Sequence, residues 1–263
     1  MHRLNIQFEG RQVVIETDSA DVMKTLEETY RHVAIGADGL RVGEITILQR
    51  PQGYEFRGPS ASYELPSDVA ILLHIVKQEV LSAFVVSTPE LLWLHAGAVS
   101  WNGRALILPG NSGQGKSTFV TLLSECGWLV MSDDAAPIKA ESFEVVPFPQ
   151  QPVRRLHPGR IVPKEEIGEL ERESVFLPEA LVATSPAELG AIVLPVFDGT
   201  AKAVLTRLRP GDAALELLRH CMSFSAQKGI AVQRVAAMSE RHSVYKLHYG
   251  DARGAADLLA TIL

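Results

Sequence analysis

The stretch that decides the fold runs from residue 105 to residue 118 and reads ALILPGNSGQGKST. Its first four residues are apolar and predict a strand, and its last nine contain Gly-x-x-x-x-Gly-Lys-Ser, the Walker A pattern of phosphate-binding loops. The apolar positions that follow stand three and four residues apart, which predicts an amphipathic helix that ends at Gly127. Strand, glycine-rich loop and helix in this order favour a phosphate loop over a glycine-rich surface turn.

The residue types of this loop suit a nucleoside triphosphate. Glycines let the backbone turn several N–H groups inward, and these amides act together with the positive end of the following helix. The lysine reaches the β and γ oxygens as a mobile point charge, and the next hydroxyl suits Mg²⁺. Lys116 is also a candidate catalytic residue. We expect ATP to be bound by Gly110, Asn111, Ser112, Gly113, Gln114, Gly115, Lys116, Ser117 and Thr118.

A pair of carboxylates follows the next predicted strand. Asp133 stands sixteen residues after Ser117, so the helix and the return strand between them bring it back to the loop. Asp134 is expected to hold Mg²⁺ with Ser117, and Asp133 to accept the proton of an attacking hydroxyl. Phosphoryl transfer needs mostly positioning and charge neutralisation, which this machinery supplies. The alternative is that the pair only caps the next turn.

A single histidine begins the predicted hairpin that leads into the loop. His95 precedes a predicted strand at 96–101 and the dipeptide Asn102-Gly103, which is the strongest two-residue hairpin signal in the chain. A lone histidine more often has a structural hydrogen-bonding role, with catalysis as the alternative. The other histidines stand at no spacing typical of a metal site.

Composition excludes several classes of protein. Of 263 residues, 46% are apolar and 21% charged, which excludes disordered, collagenous and coiled-coil chains. The net charge of −6 argues against a nucleic-acid partner. Two cysteines at no metal spacing indicate a reducing compartment. No signal-peptide pattern is visible, and charged residues interrupt the apolar run 69–86, so we expect a cytoplasmic protein without a membrane partner.

The first 88 residues differ in pattern from the rest. Alternation of apolar and polar residues predicts hairpins at 4–16 and 44–56. Helices are expected over about 20–33 and from Ser67, the predicted N-cap, to about residue 88.

We therefore predict an α/β protein with a small α+β subdomain at 1–88 and a P-loop domain at 89–263. Further elements are expected in the second part: strands at 129–131, 191–197, 203–208 and 243–249, and helices through 214–221 and 255–262.

Several of these motifs occur together in a known family. Residues 94–99 (LHAGAV), the Asn102-Gly103 turn, the loop GNSGQGKST and residues 127–134 (GWLVMSDD) resemble the C-terminal kinase domain of HPr kinase/phosphorylase. The resemblance covers about residues 94–138. It implies a P-loop kinase domain with a mixed sheet like the phosphoenolpyruvate carboxykinase core.

The resemblance also implies roles for individual residues. Asp133 would be the acid/base, aided by His95, while Ser117 and neighbouring carboxylates hold Mg²⁺. The acceptor would be a serine hydroxyl on a protein, and the rings of subunits in that family imply a homo-oligomer.

The chain departs from the family in three places. Residues 147–155 (PFPQQPVRR) replace its later Glu…Arg-Gly signature, the first 90 or so residues are unlike its N-terminal domain, and Thr118 replaces the acid that often follows the loop serine. These differences resemble shorter HPr-kinase-related proteins, some of which modify a serine of a ribosomal peptide precursor. We therefore expect an ATP- and Mg²⁺-dependent serine kinase that acts on a peptide or protein.

Two alternatives stay open, a small-molecule kinase and a nucleotide-sensing module without turnover. A guanidinium suits phosphate oxygens, so the γ-phosphate could be clamped by one of Arg154, Arg155, Arg207 and Arg209.

Overall fold

The protein is described here from a computed structural model. The structure describes residues 1–33, 36, 38–110, 116–150, 153–155, 172–174, 177–199 and 201–263. At 153–155, 172–174 and 252 it describes only the backbone. Contacts divide the chain into a first unit, Met1–Pro89, and a second unit, Glu90–Leu263. The described part is mixed α/β, with a mixed sheet in each unit.

The first unit contains a five-stranded sheet and two helices. The strands are β1 (His2–Phe8), β2 (Arg11–Thr17), β3 (Leu40–Arg50), β4 (Gly53–Arg57) and β5 (Ser62–Pro66), in that order across the sheet. The helices are α1 (Ala20–Tyr30) and α2 (Val69–Ser87). Both predicted hairpins are confirmed, because β1 pairs with β2 and β3 with β4 in antiparallel fashion. A parallel β2–β3 pair joins them.

The start of α2 differs from the prediction. Ser67 is not the N-cap; Asp68 is, and its carboxylate accepts hydrogen bonds from the backbone N–H of Ala70 at 2.8 Å and of Ile71 at 3.3 Å. Serine and aspartate are both good caps, so the sequence does not separate two adjacent candidates. The charged carboxylate also interacts favourably with the positive end of the helix.

Length and composition alone would let α2 cross a membrane, and it is the one helix in the described part of the chain for which this holds. Core helices of soluble proteins meet the same criteria. In the first unit, 44% of the apolar stretch of α2 is buried. The ring of Phe84 in α2 packs edge to face on that of Phe8 in β1, with 5.7 Å between the ring centroids. The Glu79 carboxylate accepts a hydrogen bond from the Ser60 N–H. The helix therefore covers the sheet of this unit.

Replacing the observed cap should destabilise the first unit. We expect Asp68→Ala to lower the free energy of unfolding by about 1 kcal/mol, because two N–H groups at the start of α2 lose their acceptor. Ser67→Ala should change it by less than about 0.5 kcal/mol, as for a surface site. Urea unfolding followed by far-ultraviolet circular dichroism measures both. An equal or larger effect of Ser67→Ala would contradict the assignment.

The second unit contains the larger sheet. The strands of this unit are β6 (Leu91–Leu94), β7 (Ala96–Trp101), β8 (Arg104–Pro109), β9 (Leu129–Ser132), β10 (Ala136–Lys139), β11 (Glu144–Val145), β12 (Val153–Arg155), β13 (Arg172–Ser174), β14 (Ala187–Phe197), β15 (Val204–Arg207) and β16 (Ser243–Tyr249). Its helices are α3 (Lys116–Glu125), α4 (Pro210–Arg219), α5 (Phe224–Gln227), α6 (Gly229–Arg241) and α7 (Ala252–Ala260).

Nine of these strands form one mixed sheet. The order is β6-β10-β11-β14-β8-β7-β9, with β16 beside β14 and β15 beside β16. β14 runs parallel to both β8 and β16. β12 and β13 pair only with each other among the described residues. Helix α3 packs over β7, and its Phe119, Val120 and Leu123 are fully buried.

The register of three strands determines where the loops emerge. β7 is antiparallel to β8 and to β9, with Ala96 opposite Pro109 and Ala98 opposite Ser132. The segment before β7, the loop after β8 and the turn after β9 therefore meet at one edge of the sheet. The β7–β8 turn has positive φ at Asn102 (49°) and Gly103 (79°), as a type I′ hairpin requires.

The predicted strands of this unit are confirmed, and two predicted helix ends need correction. α7 ends at Ala260, so Ile262 lies beyond that helix. α4 ends at Arg219, so Cys221, which its spacing placed on the same apolar face, lies beyond the helix. Cys221 instead forms an antiparallel bridge with Leu94 at the end of β6. No local pattern predicted α5, α6 or the short strands β6, β10, β11, β12 and β13 of this unit, nor β5 in the first unit.

Candidate functional site

The two ends of the phosphate loop can be placed in the structure. Gly110 is buried directly after β8, and Lys116, Ser117 and Thr118 are the first three residues of α3. Asn111, Ser112, Gly113, Gln114 and Gly115, also predicted to bind ATP, lie outside the described residues. The loop thus begins and ends at the sheet edge where β7 starts.

The Lys116 side chain lies between the start of the loop and His95. It is only 6% exposed, and its Nζ donates to the Gly110 carbonyl at 2.7 Å. The same Nζ lies 3.1 Å from Nε2 of His95. The ammonium therefore lies at the N-terminal end of α3, where backbone N–H groups already attract anions.

The hydrogen bonds of His95 determine the tautomer of its ring. Nδ1 lies 3.0 Å from the Asp134 carbonyl oxygen, which can only accept, so Nδ1 carries the proton and donates. Nε2 then presents its lone pair to the Lys116 ammonium. Burial is the main cause that lowers the pKa of His95 and the Lys116 charge adds to it, while Asp134 opposes. The ring is thus a neutral acceptor for Lys116 near neutral pH.

Burial also acts on Lys116 itself. Desolvation lowers the pKa of its ammonium, and the charges of Asp134 and then Asp133 oppose that shift. The lysine and both carboxylates of the predicted pair are therefore close enough to interact electrostatically. An anionic ligand at Nζ would offset the same desolvation, which makes this position suitable for phosphate oxygens.

A tight turn after β9 carries the two aspartates. The buried Ser132 hydroxyl donates to the Ala135 carbonyl, and the Ala135 N–H donates to the Ser132 hydroxyl oxygen at 3.3 Å. Asp133 is 6% exposed, whereas the side chain of Asp134 is 49% exposed. The pair thus offers one buried and one accessible carboxylate. The sequence analysis missed Ser132, although a serine before two aspartates is a recognisable turn signal.

The placement of His95 corrects one expectation. The family resemblance implies that His95 aids Asp133, but in the described chain its ring bonds to Asp134 and Lys116. Asp134 Oδ1 also lies 3.4 Å from Nδ1. Asp134 provides both of the oxygens that face the ring, its backbone carbonyl and Oδ1. The histidine therefore contacts the residue that follows Asp133 in the turn. His95 therefore acts on the orientation of Lys116 and Asp134.

The residues predicted to hold a metal are near one another in the fold. Ser117 is partly buried at the start of α3, and Asp134 interacts with Lys116, which immediately precedes Ser117. Within the described ranges, no group of three or more His, Cys, Asp or Glu residues gathers as a metal site. Mg²⁺ is usually bound by one or two protein groups together with substrate phosphates, which an accessible carboxylate and a hydroxyl suit.

The candidate arginines lie elsewhere or cannot be placed. The side chains of Arg154 and Arg155 lie outside the described residues. Arg207 and Arg209 line a shallow pocket at the start of α4 with His242 and Glu240. Arg209 is largely exposed, and its Nε donates to Asp212 at 2.8 Å. This pocket is lined by none of the residues described above around Lys116.

One glycine sets the distance between α3 and the sheet. A Cβ on Gly97 would lie 2.6 Å from Cγ2 of Val120, a buried residue of α3. Valine in a helix has little rotamer freedom, so the helix or the strand would have to move. Gly97 therefore permits the close approach of the helix that carries Lys116. The sequence analysis noted this glycine only as part of the family resemblance.

Gly97→Ala should destabilise the second unit by about 1–3 kcal/mol, the usual cost of overpacking a core. Because all three tryptophans, Trp93, Trp101 and Trp128, lie in this unit, urea unfolding followed by their fluorescence reports on it. Removing the colliding methyl groups should relieve the strain, so Gly97→Ala should cost little in a Val120→Ala background. Equal costs of Gly97→Ala in both backgrounds would show that this contact is not the cause.

Comparisons with known proteins give little beyond this geometry. No family model matches the chain, and no curated protein matches it significantly. Among solved structures, it is similar to the Hpr(Ser) kinase/phosphatase from Coxiella burnetii, with 12% sequence identity and a TM-score of 0.33 over 65% of this chain and 87% of that chain. A likeness at this level carries no argument about function.

Proposed function

We propose that the second unit binds ATP with Mg²⁺ and transfers a phosphoryl group to a serine hydroxyl of a peptide or protein. One observation carries the proposal: Lys116, the neutral ring of His95 and the Asp133-Asp134 turn lie together. They do so beside Gly110 and the start of α3, the two ends of the Walker A segment. Phosphoryl transfer requires an oriented cation near the phosphates, a metal-binding carboxylate and a group that handles the hydroxyl proton. Each requirement has a candidate here.

The described residues fit a triphosphate with its metal. The first N–H groups of a helix such as α3 have no partners within the helix and favour an anion. Lys116 adds a buried ammonium at the same position. Asp134 and Ser117 offer the hard oxygen ligands that Mg²⁺ prefers.

Each residue of the site would have its own role in the reaction. ATP supplies the phosphoryl group, and Mg²⁺ offsets the charge of its oxygens. Lys116 turns its hydrogen bond from the Gly110 carbonyl to phosphate oxygens. His95 keeps accepting from Nζ and thereby directs it without adding a second positive charge. Asp134 and Ser117 would hold the metal.

Asp133 is the proposed general base. Its burial keeps it in the turn beside the site, and the more exposed Asp134 is left to the metal. A carboxylate within hydrogen-bonding reach of a serine hydroxyl can take its proton as the oxygen attacks the γ-phosphorus, while the bond from that phosphorus to the bridging oxygen breaks and ADP leaves. We thus retain Asp133 as acid/base, and assign His95 to positioning Lys116.

The remaining parts of the proposal rest on the sequence resemblance. These are the peptide or protein acceptor, a core like that of phosphoenolpyruvate carboxykinase, a homo-oligomer and a cytoplasmic location. A small-molecule kinase and a non-catalytic nucleotide sensor are the competing functions, and the outcomes below separate them.

The purified protein should move the label of γ-³²P-ATP to macromolecules of a heat-treated cell extract in the presence of Mg²⁺. Asp133→Asn should still bind Mg·ATP but transfer at least about 10²-fold more slowly, the usual contribution of a general base. Size fractionation of the products, with calorimetry of nucleotide binding, measures both. Asp212→Asn, which changes a surface aspartate paired with Arg209, is the matched control.

Three results would contradict this proposal in different ways. Label found only on small molecules would indicate a metabolite kinase. Tight ATP binding without transfer to any fraction would indicate a sensor. Wild-type transfer by Asp133→Asn would leave the kinase but overturn the assignment of its base.

A further inference from the structure

A second histidine enters the site from a distant part of the chain. The segment His220–Met222 follows α4 and lies along the end of β6. The His95 N–H donates to the His220 carbonyl at 2.7 Å, and the Met222 N–H donates to the Trp93 carbonyl at 2.9 Å. Leu94 and Cys221 form the bridge between these two bonds. The backbone of His220 is therefore joined directly to that of His95.

The side chain of His220 is buried and faces the same group of charges. It is 7% exposed. Burial lowers its pKa, the positive charge of Lys116 lowers it further, as would that of a protonated His95, and Glu216 opposes the shift. The antiparallel bridge sets His220 directly opposite His95, so the two side chains lie on the same face of the paired segments. The His220 imidazole is a neutral ring near neutral pH with one N–H to donate.

The hydrogen-bonding capacity of this ring is unused. In the part of the chain that the structure describes, His220 bonds through its backbone carbonyl and N–H, and neither ring nitrogen has a partner. Neither nitrogen is among the fully buried polar atoms without a partner in that part of the chain, so the ring keeps accessible nitrogen surface that a ligand can reach. A purely structural C-cap histidine would instead be favoured as a cation at the negative helix end.

We propose that His220 is a further binding residue of this site and that its ring N–H donates to the terminal phosphate of bound nucleotide. The inference rests on the proposed function, because it needs a nucleotide beside Lys116. A phosphate oxygen held by Lys116 is the acceptor expected on this side of the site, while the acceptor hydroxyl belongs beside Asp133. The His95–His220 backbone bond keeps the new donor in place.

The experiment compares two nucleotides that differ in that phosphate. Calorimetry measures binding of Mg·AMP-PNP and Mg·ADP to the full-length protein and its variants. His220→Leu should weaken Mg·AMP-PNP binding by about tenfold or more, as expected for a lost hydrogen bond to a charged group. Mg·ADP binding should stay unchanged. His220→Gln, which retains an N–H donor, should recover most of the affinity.

A matched control separates this role from general loss of a buried histidine. His242 is partly buried and its pKa is also lowered mainly by burial, but its neighbouring charges are Glu188, Arg104 and Arg241. His242→Leu should leave both affinities unchanged. Equal weakening of the two nucleotides by His220→Leu would indicate a structural role and overturn the inference.

A measurement on the unchanged protein covers the case in which His220→Leu does not fold. In ¹⁵N-histidine spectra, the imidazole signal that is absent in His220→Gln should shift with Mg·AMP-PNP and not with Mg·ADP. Equal shifts with the two nucleotides, or none, would overturn the inference. If the wild-type protein binds neither nucleotide, the proposed function itself fails, which is a separate outcome.

Discussion

The site depends on one chain of hydrogen bonds, from the Asp134 carbonyl through the ring of His95 to the ammonium of Lys116. Because the carbonyl can only accept, the ring must donate from Nδ1 and offer its lone pair to the lysine. A protonated ring would place two positive charges about 3 Å apart, which is strongly unfavourable at low effective dielectric. Burial keeps the ring neutral, so it can orient the cation without repelling it.

Much of the frame around this chain could be predicted, because it follows from local signals. Asn102-Gly103 sets the β7–β8 hairpin, and the apolar periodicity after residue 118 predicts α3. Once that hairpin register is given, a short return strand must bring Asp133 to the start of α3. The prediction of a phosphate loop beside a carboxylate pair therefore needed only neighbouring segments. The described residues bring Lys116 and Asp134 together through the ring of His95.

The rest depends on contacts between distant residues, which no local pattern encodes. His220 meets His95 only because the end of α4 pairs with β6, and Gly97 matters only because Val120 packs against it. α6 was not predicted because Ile230 and Val232 are apolar but exposed. They interrupt the periodic pattern of apolar and polar positions that marks an amphipathic helix. The resemblance implied that His95 aids Asp133, whereas the ring contacts the neighbouring Asp134, and a likeness of sequence does not tell which of two adjacent carboxylates faces a ring.

The most direct test of the account is calorimetry of Mg·ATP binding to Lys116→Met, a change that removes the charge and keeps much of the volume. The account predicts a loss of affinity of about tenfold or more, since a charged hydrogen bond to phosphate is removed. Lys139→Met, which changes a lysine paired with Glu144 in the same unit, should bind as the wild type does. Wild-type affinity in Lys116→Met would contradict the account.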